Sequence, residues 1–348
     1  MATIPWYCSR EDVMGATDSK FTARDTARVD RAVAASSRGI ELTLHRKFYP
    51  WTGTRTFDWP NDQHGTSWRL WLNQHELVSV SGIVTGGVTL APAGYLLRPD
   101  AGPPYTRVEI NLSGGASFGA GATHQRAISI AGVWGYDADT DPVGSLAVAV
   151  SSTTATSITV TDSAAVGVGH ILLVGSERMI VTGKRMASTG QTVQAPLAAQ
   201  QNATTLAVAD GSTYAYDEVV LLDSERMLIV DIAGNNLSVR RAWDGSTLAA
   251  HTGSTIYAGR ALTVERGALG TTAATHLIGA PIARHHVVDP VRQLCIAETI
   301  NTVHQELAGY ARQIGAGETA RESYARGLRD LRAEVYAAYG RKARIRAV

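Results

Sequence analysis

The sequence predicts an α+β fold: a helical core with a small antiparallel meander, interrupted by an all-β insertion domain that contains a duplicated unit. Three observations predict it. Apolar residues recur at three- and four-residue steps near both ends of the 348-residue chain. Between about 54 and 136 the alternation is by twos, broken by Gly- and Pro-rich turns. From about Pro142 to Pro281 the chain turns rich in Ala, Thr, Val, Ser and Gly, and resembles itself.

Each element follows from its residues. Ser9 caps a short helix, with Asp12 three residues on in the position that reaches back to the cap. A longer helix runs over about 22–45, where Val29, Val33, Ser36, Ile40 and Leu44 form one stripe, and Pro50 ends anything helical. In SWRLWLN, Trp68, Leu70 and Leu72 share one strand face and Arg69 and Trp71 the other. ELVSVSGIV, GYLLRP, TRVEINL and AISIAGVWGY continue the meander, expected to rest on the preceding helix. Residues 156–182 align without gaps on 204–230, with eight of 27 positions identical, including the whole Ser-Glu-Arg-Met block. Unrelated segments would share roughly two, so a duplication is predicted. A shorter echo pairs LSVRRAWDGSTLAAH (237–251) with LTVERGALGTTAATH (262–276). Helical period returns at Asp289-Pro290, with a stripe of Val291, Leu294, Cys295, Val303, Leu307, Tyr310 and Ile314 that Gly315 ends. A last helix opens on a capping box from Thr319 to Glu322 and buries Tyr324, Leu328, Leu331, Val335 and Tyr339. The domains are therefore 1–141, 142–284 and 285–348, the first and third completing one core with the second looped out.

Charge and composition narrow the function classes. With 32 basic and 31 acidic side chains, net +1, a general electrostatic role on nucleic acid is not expected. No basic n-region with an apolar core opens the chain, and no apolar run approaches the ~20 residues that span a bilayer, so a soluble intracellular product is expected, with no membrane partner. Cys8 and Cys295 lie near opposite ends, and neither a zinc site nor a disulfide framework is suggested.

Candidate chemistry is thin. Adjacent His285 and His286 point to opposite faces of an extended chain and read as a domain-junction surface. ERGALGTT lacks the lysine of a phosphate loop and reads as a strand–turn device using Gly267 and Gly270. His251 and His276 are read as bonding turn carbonyls. The adjacent Glu and Arg of Ser176-Glu177-Arg178 and Ser224-Glu225-Arg226 are read as cross-strand ion pairs. No catalytic, cofactor-binding or metal-ligating residue is assigned, and the chain reads as non-enzymatic.

Two features point to partners instead. RKFYPWTGTRTFDWP (46–60) concentrates Phe48, Tyr49, Trp51, Phe57 and Trp59 in a chain only 7% aromatic, and reads as a core or subunit contact. From Arg321 onward, eight basic residues stand against three acids, which suits a solvated helix face, a docking segment for an acidic protein surface, or a nucleic-acid contact.

The order of a capped helix ending in ASSRGIELTLHRKFYP, a meander, the strand ISIAGVWGY and a proline-started helix resembles the head–tail adaptor (head-completion or connector) proteins of long-tailed bacteriophages. The likeness covers about 5–137 and 287–348; RTFDWP, LWLNQHELVSV, PPYTRVEINL and GVWGY carry it too. The resemblance implies a structural virion protein at the neck, in a homo-oligomeric ring, usually twelvefold, beneath the portal. Such a ring extends the DNA channel, lets DNA pass without reading it, and offers a surface to the next neck or tail component. It places portal docking on Arg341, Lys342, Arg344, Ile345 and Arg346, and an intersubunit seam on Trp51, Trp59, Trp71 and Arg55. No cofactor is implied. The β insertion departs from the family pattern and leaves a second reading, a glycan- or host-surface-binding module, with Tyr214, Tyr216, Trp243 and Tyr257 as its rings.

Overall fold

Capping and one apolar stripe build the first layer. The computed structural model describes residues 4–17, 23–60, 66–307, 313–314, 321–322 and 325–341. Helix α1 (Arg10–Thr17) begins with a reciprocal cap: Asp12 N–H donates to Ser9 Oγ (3.0 Å) and Ser9 N–H to Asp12 Oδ2 (2.8 Å). Helix α2 (Ala23–Leu44) buries Val29, Val33, Ile40 and Leu44, and stops where His45 turns left-handed at φ 53°. Helix α3 (Asp289–Leu307) buries Val291, Leu294, Cys295, Thr299 and Val303, and helix α4 (Ala325–Tyr339) adds Val335. These helices share one core, to which Phe48, Tyr49 and, from the β region, Ile171, Ile180 and Ala268 also contribute. Ion pairs Arg10–Asp30, Arg292–Asp12 and Arg332–Glu298, at 2.6 to 2.7 Å, tie the helices at its rim.

The aromatic-rich segment is divided: Phe48 and Tyr49 stay with the helices, and from Trp51 on it enters a second body. Strands β1 (Trp51–Phe57), β3 (Leu77–Thr85), β4 (Val88–Leu90) and β7 (Ile128–Trp134) form one sheet in the order β1-β7-β3-β4. Strands β2 (Arg69–Trp71), β5 (Tyr95–Arg98) and β6 (Arg107–Ile110) form a second, β2-β6-β5. Period-two alternation sends Phe57, Leu70, Leu72, Leu77, Ile83, Val108, Ile128, Ile130 and Trp134 into a core of their own.

The strands from 140 to 285 make a ten-stranded sheet. β8 (Thr140–Ser145) and β17 (Pro281–His285) pair antiparallel, so the chain enters and leaves this region on neighbouring strands. Two long strands, β11 (Glu177–Thr192) and β16 (Thr255–Glu265), pair over most of their length. β16 enters two hydrophobic cores, one with Leu262 and Val264 beside Met179 and Val181 of β11, the other with Ile256 and Ala258. With β9 (Ser157–Thr159) and β10 (Ile171–Val174) their near halves form an outer unit. With β12 (Thr205–Ala207), β13 (Val219–Leu222), β14 (Glu225–Ala233) and β15 (Asn236–Arg240) their far halves form an inner unit. The echo at 262–276 closes the outer unit and the echo at 237–251 the inner one. The second copy is thus inserted within the first, a nesting that the linear alignment did not reveal.

Strand accounts for 36% of the chain and helix for 22%, so the molecule is mostly β, with four helices among the described residues and large antiparallel sheets. This overturns the predicted α+β class built on a helical core with a small meander. The physical reason is that seven strands with their own two-sheet core replace the meander expected to lean on a helix. The C-terminal helices are also shorter than predicted. Ile314 lies in β18 (Gln313–Ile314), which pairs with β19 (Arg321–Glu322), so neither a helix through Ile314 nor a capping box at Glu322 forms. Gly315 and Gly317, each costing a helix interior roughly 1 kcal/mol, lie between them. Tyr310, Thr319 and Tyr324 lie outside the described residues. Cys8 and Cys295, which no spacing in the sequence connects, are in contact, with sulfurs 3.3 Å apart.

Candidate functional site

Strand β1 presents Trp51, Gly53 and Arg55 on one face, two residues apart. With no side chain at Gly53, the Trp51 ring lies across it; a Cβ there would sit 2.3 Å from the ring. Trp134, paired with Trp51 across β7, donates its indole N–H to Gly53 O (2.9 Å). The Arg55 guanidinium then lies between the two indoles, 4.8 Å from the Trp51 ring and 5.3 Å from that of Trp134. Its Nη1 is 3.5 Å from His75 Nε2, and its buried Nε has no hydrogen-bond partner. Among the described residues no carboxylate pairs with it. Burial pulls its pKa down from the usual arginine range.

This arrangement lines a cleft of about 1210 Å³ where the helical body, the two-sheet body and the outer β unit meet. Arg46, Lys47, His75, Glu76, Leu269 and Arg341 are among its other walls. Glu76, almost fully buried, is held between Arg46 (3.1 Å) and Arg341 (3.3 Å). Glu41 is taken by Tyr7 (2.8 Å) and Arg38 (2.7 Å). Burial and the nearby charges of Arg55, Arg341 and Lys47 lower the His75 pKa to about 4, so its ring is neutral at pH 7. The cleft therefore offers a stacked cation to an anionic group or a carbonyl.

The predicted seam residues separate on the molecule. Trp51 and Arg55 line the cleft, whereas Trp59 and Trp71 do not. Trp59 donates its indole N–H to Phe118 O (2.7 Å) and stacks on His124, and Trp71 lies beneath Arg107 at 5.0 Å. Of the predicted docking residues, Arg341 is engaged within the chain. Its backbone N–H donates to Leu44 O and its Nη1 to Asn73 O, both at 3.0 Å. Lys342, Arg344, Ile345 and Arg346 lie outside the described residues.

The duplicated motif proves to be an architectural device. Glu177 and Glu225 are both fully buried, yet neither pairs with the arginine beside it. Glu177 accepts two bonds from Arg266 (2.7 and 2.8 Å), one each from Gly267 and Ala274 N–H, and faces His276 Nε2 at 2.7 Å. Glu225 repeats the set with Arg241 (2.8 and 2.9 Å), Ala242 and Ala249 N–H, and His251 at 3.0 Å. Burial works to raise both carboxyl pKa values, but these donors outweigh it and bring each to about 2. The histidines, expected at turn carbonyls, face these carboxylates instead. Each constellation closes one unit by pinning its last loop to its central hairpin. The flanking arginines have diverged: Arg178 reaches Thr52 of β1 (2.5 Å), while Arg226 stays half-exposed beside Asp244 (3.6 Å).

The loop after β16 also meets β1, where Thr52 N–H donates to Leu269 O (2.8 Å). Gly270 (φ +80°) makes this approach possible, because a Cβ there would lie 1.8 Å from Thr52 O. At the other junction, His285 faces Phe48 O (2.8 Å) and Asp139 O (3.1 Å), and His286 faces Asp141 (2.9 Å). No group of three His, Cys, Asp or Glu among the described residues could hold a metal ion. No described helix is long and apolar enough to cross a membrane. Of the insertion's rings, Tyr214 is buried against Thr189 and Trp243 lies beneath Arg240, leaving Tyr216 and Tyr257 exposed. Sequence reasoning singled out Trp51 and Arg55 but missed Trp134, His75 and Glu76, which other strands and loops bring to them. No family model, curated protein or solved structure matches the chain.

Proposed function

We propose that the chain is a structural subunit of a self-assembling ring, the head–tail adaptor of a long-tailed bacteriophage, which sits beneath the portal in the virion neck, extends the DNA channel and receives the next tail-side component. The choice of partners rests on the likeness of 5–137 and 287–348 to that family. Assembly is supported by one observation above the others: Arg55 is stacked between two indoles at an open cleft and, among the described residues, pairs with no carboxylate. Aromatic rings and arginines concentrate where binding energy concentrates, and a cyclic ring needs one patch on each subunit to receive a different patch of its neighbour. In this reading Trp51 and Arg55 form the receiving half of the seam, and Trp59 and Trp71, which lie away from the cleft, are left out of it. The basic residues after Arg341 dock on the portal. The nested β units project from the ring, since the chain enters and leaves them on adjacent strands.

Arg55→Ala tests the seam. Light scattering and co-purification with the portal should show loss of the ring while the far-ultraviolet spectrum and melting stay those of the parent. A ring that forms as before contradicts the seam. Removing 342–348, with Arg341 kept because its backbone and side chain hold Leu44 and Asn73, should abolish portal binding; undiminished binding removes the tail from the mechanism.

A further inference from the structure

The chain contains two cysteines in 348 residues, 287 positions apart, and the fold brings their sulfurs to 3.3 Å. Cys8 lies in the segment that leads into α1, and Cys295 in the middle of α3. Both are buried in the core shared by the two ends of the chain. The segment carrying Cys8 is fastened by Tyr7 N–H to Ser37 Oγ (3.1 Å), Tyr7 O–H to Glu41 (2.8 Å) and Arg38 to Pro5 O (2.6 Å), so the contact is held on several sides.

We propose that Cys8 and Cys295 are a modification site: in an oxidising medium they close an intramolecular disulfide that locks the start of the chain to α3 across the whole β region. The inference stands whether or not the chain is a ring subunit.

The chemistry needs a disulfide oxidant, of which oxidised glutathione is a sufficient example. The Cys295 thiolate attacks one glutathione sulfur, forming a mixed disulfide and expelling one glutathione thiolate. Cys8 then gives up its proton and attacks the Cys295 sulfur, expelling the second. Two thiol protons and two electrons pass to the oxidant, which leaves as two reduced glutathiones. Cys295 is the better first nucleophile. Burial raises its pKa, but hydrogen bonds from Cys8 and Ser37 outweigh that and lower it, whereas Cys8 is raised by its bond to Cys295 and by burial. Because both sulfurs are buried, the oxidant must wait for the segment around Cys8 to open. A glutathione-rich cytosol keeps the pair reduced, and a medium outside the cell oxidises it.

The test uses the full chain, reduced without oxygen, then treated with oxidised glutathione, unfolded and alkylated. Intact mass should show loss of two hydrogens with no alkyl group added, and digestion should yield one peptide pair joining Cys8 to Cys295. Melting of the helical body should rise on the order of 5 °C on oxidation, because the bond closes a very long loop in the unfolded chain. Cys8→Ser and Cys295→Ser should each abolish both the link and the shift. A stable glutathione adduct, dimers joined through cysteine, or two thiols that still alkylate after treatment would overturn the proposal. These readouts on the parent chain decide the matter even if a serine variant fails to fold.

Discussion

Replacing Glu225 by glutamine probes the nested architecture directly. The carboxylate accepts five bonds, two from Arg241, two from backbone N–H groups and one at His251. A glutamine keeps one acceptor oxygen and turns an NH₂ toward donors, leaving the fully buried Arg241 side chain without its counter-charge. Breaking a buried pair in this way costs about 3–5 kcal/mol. At about 4 kcal/mol the opening of the inner unit rises roughly 10³-fold. Hydrogen exchange at the amides of Ile229 and Val239, which donate to Glu218 O and Thr204 O, should accelerate by that factor. Helices α2 and α3 should keep their protection, because the inner core contributes no residue to theirs. Glu177→Gln should behave differently: Ile171, Ile180 and Ala268 of the outer unit lie in the helical core, so loss of protection should spread into α3. Equal loss over the same residues in both variants, or unchanged exchange at Ile229 and Val239 in the first, would refute the nesting argument.

Further outcomes follow from single groups. Burial, with Asp139 nearby, raises the Asp137 pKa to about 7, so the folded chain holds a proton that the unfolded chain releases above its ordinary carboxylate range. Stability from this group is present below pH 4 and lost as pH rises through about 7. Asp137→Asn should therefore raise stability at pH 8 by on the order of 2 kcal/mol after solvent screening, read from urea midpoints. His75 has the opposite dependence: with a folded pKa of about 4, it refuses a proton that the unfolded chain binds, so stability falls as pH drops from 6.5 toward 4. His75→Gln should flatten that slope. Gly270→Ala should loosen the outer unit from β1, seen as faster exchange at the Thr52 amide with little change at Ile229.

Much of the element pattern was legible because it is local. The Ser9–Asp12 cap, the α2 stripe from Val29 to Leu44 and the alternation of Leu70 and Leu72 each depend on residues within a few positions. What the sequence hid depends on long-range pairing. That 262–276 closes the outer unit and 237–251 the inner one follows from β16 pairing with β11, a choice that no local period encodes. The glutamates do form ion pairs away from their own strand, but the partners, Arg266 and Arg241, lie 89 and 16 residues away, which no local pattern identifies. Overvaluing the helices had a similar cause: a stripe of Tyr310 and Ile314 continues the α3 period, yet Gln313 and Ile314 pair with Glu322 and Arg321 as strands. At the cleft, Trp51 and Arg55 stood out by composition. Trp134 joined them only through the β1–β7 register.

Electron microscopy of the chain mixed with its portal tests the assembly account most directly. The account predicts a closed ring on the portal, with each Trp51–Arg55 cleft covered by the neighbouring subunit. Particles without a ring, or a ring in which that cleft stays open to solvent, would contradict it.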